Sequence, residues 1–506
     1  MQSSDGRHER DVFVDVLRVL AVLIVVVGHW ATTTVIWEEG RIGVENVLSV
    51  IPESHGATWL VQVMPLLFFV GGFANARSLA RHGGEYLPYL RTRLVRLLTP
   101  TLAFMAIWLL VGIIAEALPL PDPNVVARAA DLAALPFWFL GMYVVVVALA
   151  PLMWRLHQHF GWWVPALLIV GAAAVDVLVH GLGYAAVGVA NYAFVWLLAH
   201  QLGFFYGEGR LNRVSGAFAG ALFAAGLMAL VVAVTFGGYP TSMVGVPGED
   251  RWNTDPPSLP LVALTIALIG LALLARPRIQ SWATRRHRLV DRLNSSTLTL
   301  YLWHVSALAL AAAVVYPLGF PRPDTGSALW WTFRPVWLAV MVPFLALLVY
   351  SFHRFEVHPT PRLISRRSDH RVRLIAAATA VVSLSLGILG FGVSGFDRGV
   401  TEYGETVLAF SVNPLQNVLH VAVGLGLLGL VYLSAWILPG AAGASLLYLM
   451  LGAGGWSTGI GLLAINPATA RLHVVLGSLG LCLLALAVVS DRRHAERDSP
   501  TGSTTS

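Results

Sequence analysis

Fourteen runs of apolar residues, each long enough to cross a bilayer, divide the sequence and leave little room for any other fold. They fall at about 12–36, 57–78, 94–117, 132–154, 162–182, 188–207, 214–237, 258–275, 296–316 and 328–353, then at about 374–395, 412–436, 443–464 and 470–490. An α-helix rises about 1.5 Å per residue, so about 20 residues span the ~30 Å hydrocarbon core. The 506 residues are 57% hydrophobic and only 12% charged, with a mean hydropathy of +0.71. Soluble domains are about a quarter charged. The expected fold is an all-α polytopic membrane protein of about fourteen transmembrane helices, not a soluble enzyme with an anchor.

All 33 basic residues are arginine, which rules out lysine Schiff-base chemistry. Their placement checks the number of spans. With the N-terminus in the cytosol, 25 arginines fall on inner segments, among them Arg77, Arg81, Arg91, Arg93 and Arg96. The outer segments hold seven: Arg41, Arg128, Arg251, Arg322, Arg334, Arg398 and Arg471. Arg18 lies within a span. Acidic residues gather outside, including Glu38, Glu45, Glu249 and Asp255. One missed span would scramble this asymmetry, so both termini are expected in the cytosol and the chain in the plasma membrane. The first run lacks a small-residue cleavage site and should stay as a span. Cys482 is the only cysteine, which excludes intramolecular disulfides and Cys-cluster zinc sites. There is no P-loop, HExxH or dinucleotide fingerprint. Neither a metal nor a nucleic-acid partner is expected.

Three parts emerge: a ten-helix block over 1–365, a four-helix block over 366–490, and a polar tail over 491–506 with the composition of a disordered segment. The four-helix block repeats itself. "NPLQNVLHVAVGLGLL" starts at Asn413 and "NPATARLHVVLGSLGL" at Asn466, so Asn, Pro, Leu, His, Val and Gly recur at an offset of 53. Asn-Pro suits a helix start, with Asn as cap and Pro in the first turn. His420 and His473 then lie at equivalent depth, either as a functional pair or in a shared packing role.

Polar residues inside apolar runs are costly and therefore informative. In "DVLRVLAVLIVVVGHW" (Asp15–Trp30), Arg18 and His29 are eleven residues apart. At about 100° per residue they share one helix face, separated by about 16 Å along the axis. Asp15 lies one turn from Arg18 on the same stripe. Alone, Arg18 reads as a snorkelling anchor and His29 as a packed polar residue; a polar cavity along the stripe explains both. In "YLRTRLVRLLTP" (Tyr89–Pro100), Arg93 and Arg96 share a face one turn apart. They are either positive-inside anchors or a cytosolic anion site, since guanidinium forks match phosphate. In "NSSTLTLYLWHVSAL" (Asn294–Leu308), Tyr301 and His304 share a face. The i,i+4 spacing of Asp176 and His180 can bind metal or relay protons but reads first as an internally hydrogen-bonded pair, and Glu356 reads as a solvated carboxylate at the inner interface. The outer segment Gly237–Pro260 either covers a site or only connects helices.

Over about 10–365 the sequence resembles the acyltransferase family 3 membrane proteins. The resemblance rests on Arg18-x10-His29 preceded by Asp15, on "PLLFFVGGFANA" (Pro65–Ala76), on Arg93-x-x-Arg96 before Pro100, and on "TLYLWH" (Thr299–His304). Gly71 departs from the pattern, standing where the second motif usually has serine. The C-terminal repeat is similar to an uncharacterised four-helix membrane family, which supplies no activity. The resemblance implies transfer of a short acyl group, often acetyl, from cytosolic acyl-CoA to a hydroxyl of an envelope glycan, glycolipid or similar acceptor. It implies Arg93 and Arg96 at the donor phosphates and His29 as general base or transient acyl carrier. Arg18 would orient the donor or stabilise negative charge, with Asp15 fixing it. Tyr301 and His304 would line the same cavity, among membrane lipids. The competing class is a transporter or lipid flippase, which predicts no acyl-CoA turnover.

Overall fold

The computed structural model describes residues 11–38, 41–116, 125–356, 370–395, 406–407, 410–433, 437–457 and 465–498. Most of the arginine-rich connector, 357–369, and the end of the polar tail, 499–506, lie outside the described residues. The chain forms two compact units. One takes Met1–Ile107, Leu120–Val125 and Leu149–His358; the other takes Trp108–Pro119, Val126–Ala148 and Pro359–Ser506.

The first unit opens with α1 (Val12–Thr32), capped by the Asp11 carboxylate, which accepts from Phe13 N and Val14 N. Its 21 residues match the thickness of a bilayer core. A hairpin of β1 (Thr33–Glu38) and β2 (Arg41–Asn46) follows, then the short helices α2 (Val47–Val50) and α3 (Thr58–Val61). Next come α4 (Met64–Arg81) and α5 (Tyr86–Glu116), whose last residues belong to the second unit. Nearly all of α6 (Val125–Ala134) and the first half of α7 (Phe137–Phe160) belong to the second unit; the first unit resumes at Leu149 and continues through α8 (Trp163–Asp176), α9 (Ala190–Gly207), α10 (Gly216–Phe236) and α11 (Leu259–Arg285). The short α12 (His287–Asn294) leads into α13 (Thr297–Val315), and α14 (Ala328–Phe352) closes the unit. The second unit adds α15 (His370–Ser394), α16 (Pro414–Leu433), α17 (Ile437–Ser457) and α18 (Pro467–Asp498).

Thirteen of the described helices are long and apolar enough to cross a membrane. In α17 the described apolar stretch is shorter, Gly440–Gly452, because residues 458–464 of the run expected there lie outside the described residues. The architecture is all-α and polytopic, with two small hairpins beside the helices. Helix α10 buries only Ala219, Gly226 and Leu230 and exposes Met228, Val232 and Phe236, as suits a lipid-facing helix.

Apolar side chains gain little by leaving lipid for a helix interface, so close backbone packing must hold such a bundle. Helices α4 and α9 cross where Gly72 meets Gly203. A Cβ on Gly72 would sit 1.9 Å from the His200 carbonyl oxygen, and one on Gly203 2.1 Å from that of Phe69. Gly72→Leu should therefore destabilise the fold by more than the usual overpacking cost of about 1–3 kcal/mol, because backbone atoms cannot yield, and so lower the thermal unfolding midpoint in detergent. An unchanged midpoint would contradict this crossing.

In the second unit, Asn413 and Asn466 each accept a bond from the third residue onward, Gln416 N and Thr469 N, both at 2.8 Å. The repeat thus starts two equivalent helices. Ser383 Oγ donates to Thr379 O, which leaves Tyr448 to donate to Ser383 at 2.7 Å and His420 Nδ1 to donate to Tyr448 at 3.0 Å. His473 Nε2 lies 3.4 Å from His420 Nε2. The two repeat histidines are tied into one buried polar chain, which gives the hydroxyls and the His420 ring partners that lipid would not, while His473 Nδ1 has none among the described residues.

Candidate active site

Helix α1 faces the α12–α13 segment with both of its polar positions. At one end, Arg18 Nη1 donates to Asn294 Oδ1 at 2.9 Å, and Asn294 Nδ2 donates to Asp15 Oδ1 at 3.0 Å. Arg18 also lies 3.8 Å from Asp15 Oδ1. The asparagine amide is oriented by a cation on its oxygen and a carboxylate on its nitrogen. Near the other end of α1, His29 meets His304 of α13, with Nδ1 and Nε2 2.7 Å apart. The rings are nearly parallel (14°) with centroids 5.0 Å apart, the spacing of an edge-to-edge hydrogen bond.

The direction of that bond follows from chemistry. His304 Nδ1 lies 2.6 Å from the Tyr301 carbonyl oxygen. A carbonyl only accepts, so His304 Nδ1 carries a proton. In the neutral ring, Nε2 then holds the lone pair and accepts from His29 Nδ1–H. Neutral His29 is left with its lone pair on Nε2, which has no hydrogen-bond partner among the described residues. His304 is fully buried and His29 half-buried, so the outward nitrogen belongs to the more accessible ring. Trp30 Nε1 donates to the His304 carbonyl at 2.7 Å and ties the two helices one residue further on.

The expected stripe is therefore real as geometry, but it holds two separate clusters. Asp15 and Arg18 gather with Asn294; His29 gathers with His304 and the Tyr301 backbone. Since about 16 Å of helix separates Arg18 from His29, and Arg18 is engaged by Asn294, one small group cannot touch both. Tyr301 is buried beside His304. Arg93 is half-buried and Arg96 exposed on α5.

Glu356 departs from its expected solvated state. It accepts from Leu298 N at 3.1 Å, Thr299 N at 2.9 Å and Thr299 Oγ1 at 2.7 Å. It caps α13, whose own N-cap Ser296 makes no side-chain bond. Burial pushes its carboxyl above the usual carboxylate range, opposed by these three bonds and by the Arg96 charge. A carboxylate after one helix and the unsatisfied start of another are far apart in sequence, so only packing joins them.

Asp176 and His180 are not a pair. Asp176 accepts from Asn191 Nδ2 at 2.7 Å, Tyr239 OH at 2.7 Å and Leu259 N at 2.8 Å. The π-helical turn Val177–Gly181 breaks the i,i+4 register, and His180 packs edge-on against Tyr239. The connection after α10 is pinned by Trp59 Nε1 on Thr241 O and Gln62 Nε2 on Met243 O.

Two site residues escaped the sequence. Asn294 had a faint signal, the polar Asn-Ser-Ser just before an apolar run. Arg334 counted only as one of the outer-segment arginines, at the start of the 328–353 run; in α14 it is 7% exposed and donates to three carbonyls at the end of α1.

Fold and site together define a polytopic membrane protein that holds an imidazole lone pair inside a helix bundle. The model of the acyltransferase domain family matches residues 11–353, about two thirds of the chain. The chain belongs to acyltransferase family 3 and is a membrane acyltransferase. No curated protein and no solved structure matches it.

Proposed function

We propose that the protein is a membrane O-acyltransferase that moves a short acyl group, such as acetyl, from cytosolic acyl-CoA to a hydroxyl of an envelope glycan or glycolipid. The observation that carries the reading is the His29–His304 pair, which leaves the His29 Nε2 lone pair outward in a family of acyltransferases. In the proposed step, His29 Nε2 takes the acceptor hydroxyl proton as the oxygen attacks the thioester carbonyl. The C–O bond forms, the C–S bond breaks, and the proton passes from His29 to the departing thiolate. The products are the ester and free CoA. His304 and the Tyr301 carbonyl hold the ring of His29 in one tautomer throughout.

The donor phosphates are assigned to Arg93 and Arg96, on the inner face. Arg18, fixed by Asp15 and Asn294, is assigned to orienting the donor along the stripe rather than to the charge that develops near His29. Purified protein in nanodiscs, given labelled acetyl-CoA and envelope extract, should place label in an acceptor that mass spectrometry identifies by one acyl mass. No consumption of acyl-CoA with any acceptor would overturn the donor. Arg93→Gln and Arg96→Gln should each raise KM for acyl-CoA about tenfold, the worth of one charge-assisted phosphate contact. Acyl-pantetheine, which lacks the nucleotide phosphates, should be insensitive to both changes. Equal effects on the two donors would remove these arginines from phosphate binding.

A further inference from the structure

We propose that Arg334 is a positioning residue for acyl transfer: from α14 it clamps the end of α1 and so fixes His29 against His304. The proposal rests on His29 as the transfer residue.

Its geometry is unusual for an arginine inside a span. One nitrogen, Nη2, lies 2.5 Å from Trp30 O, 2.9 Å from Ala31 O and 2.7 Å from Thr33 O. These carbonyls close the last turn of α1, one to four residues after His29. A helix leaves its final carbonyls without intrahelical partners, and its C-terminal end carries about half a negative charge. In an apolar surrounding both features are costly, and Arg334 answers both at once. The Trp330 ring covers the guanidinium at 4.8 Å from its centroid, which adds a second attraction to the cation. Among the described residues no carboxylate pairs with it, so the helix end and the ring are what hold the charge in place.

The consequence for His29 is mechanical. Trp30 is held twice, by its carbonyl on Arg334 and by its Nε1 on the His304 carbonyl. The α1 terminus is thereby locked to α14 and α13 together, with His29 between them. Arg322 offers a comparison, since it donates to Tyr316 O at 3.0 Å just past the end of α13.

The test uses the full chain in nanodiscs, with thermal unfolding and steady-state kinetics on Arg334→Gln, Arg334→Lys, Arg322→Gln and His29→Ala. Loss of the clamp misplaces His29 by a fraction of an ångström to an ångström, so folded Arg334→Gln should lose roughly 10–100-fold in kcat. KM for acyl-CoA should stay within about twofold, because the donor site lies elsewhere. An ammonium also places one nitrogen with three donors among three carbonyls, so Arg334→Lys should stay within about threefold of the parent. Arg322→Gln should keep parental kcat, even if its unfolding midpoint falls. A folded Arg334→Gln with parental kcat, or a folded Arg334→Lys as impaired as Arg334→Gln, overturns the proposal. If Arg334→Gln does not fold, Arg334→Lys decides: near-parental kcat supports the clamp, and a tenfold loss in a folded protein overturns it. Undiminished transfer by His29→Ala would instead overturn the reading of the site itself.

Discussion

Replacing His29 with alanine should lower acyl transfer by roughly 10²–10⁴-fold, the contribution of a positioned general base. KM for acyl-CoA should change little, since the arginines assigned to the donor phosphates are on α5. His29 is half-buried and makes one side-chain hydrogen bond, so the variant should fold. His29→Gln gives an independent check, because it keeps most of the volume but offers no basic nitrogen. The same variants separate the two possible jobs of the ring. If His29 carries the acyl group, acid-quenched protein incubated with labelled donor alone should retain label that hydroxylamine removes. If it acts only as a base, no label stays on the protein. Undiminished turnover by His29→Ala would take the residue out of the mechanism.

His304→Ala should be nearly as damaging, at roughly 10²–10⁴-fold in kcat, for a different reason. His304 Nε2 is what holds the proton on His29 Nδ1. Without it, neutral His29 is free to place its proton on Nε2, and the lone pair then points away from the acceptor. His304→Gln discriminates between the roles available to His304. A glutamine carbonyl can accept from His29 Nδ1–H and restore the tautomer, but it cannot relay a proton. We expect His304→Gln to recover much of the lost rate, to within roughly tenfold of the parent, if orientation is the role. Equal loss in both variants, with normal unfolding midpoints, would favour a relay in which His304 itself changes protonation.

Much of the fold was legible because the membrane imposes a simple rule. A run of about 20 apolar residues has few options other than a helix, since every backbone group must be bonded within it. The shared face of Arg18 and His29 was legible too, because α1 is continuous from Val12 to Thr32 and its period is fixed. The misreadings arose where the period fails or a partner comes from afar. Asp176 and His180 sit at a π-turn, so spacing gave the wrong neighbour. Glu356 looked solvated because the unsatisfied start of α13, its partner at Leu298 and Thr299, lies 57 to 58 residues earlier.

By itself the sequence determined the class of fold, the acyltransferase family motifs and the polar stripe of the first helix. All of these follow from local composition, helical period and short spacings. Only the tertiary structure decided what the stripe faces: Asn294 opposite Arg18, His304 opposite His29, and Arg334 at the helix end, 276, 275 and 301 to 304 residues away. Helices in lipid are sorted by close backbone packing and by hydrogen bonds between them. Such contacts join segments whose separation along the chain carries no periodic signal. The tautomer of His29, on which the proposed chemistry turns, is set by one of them.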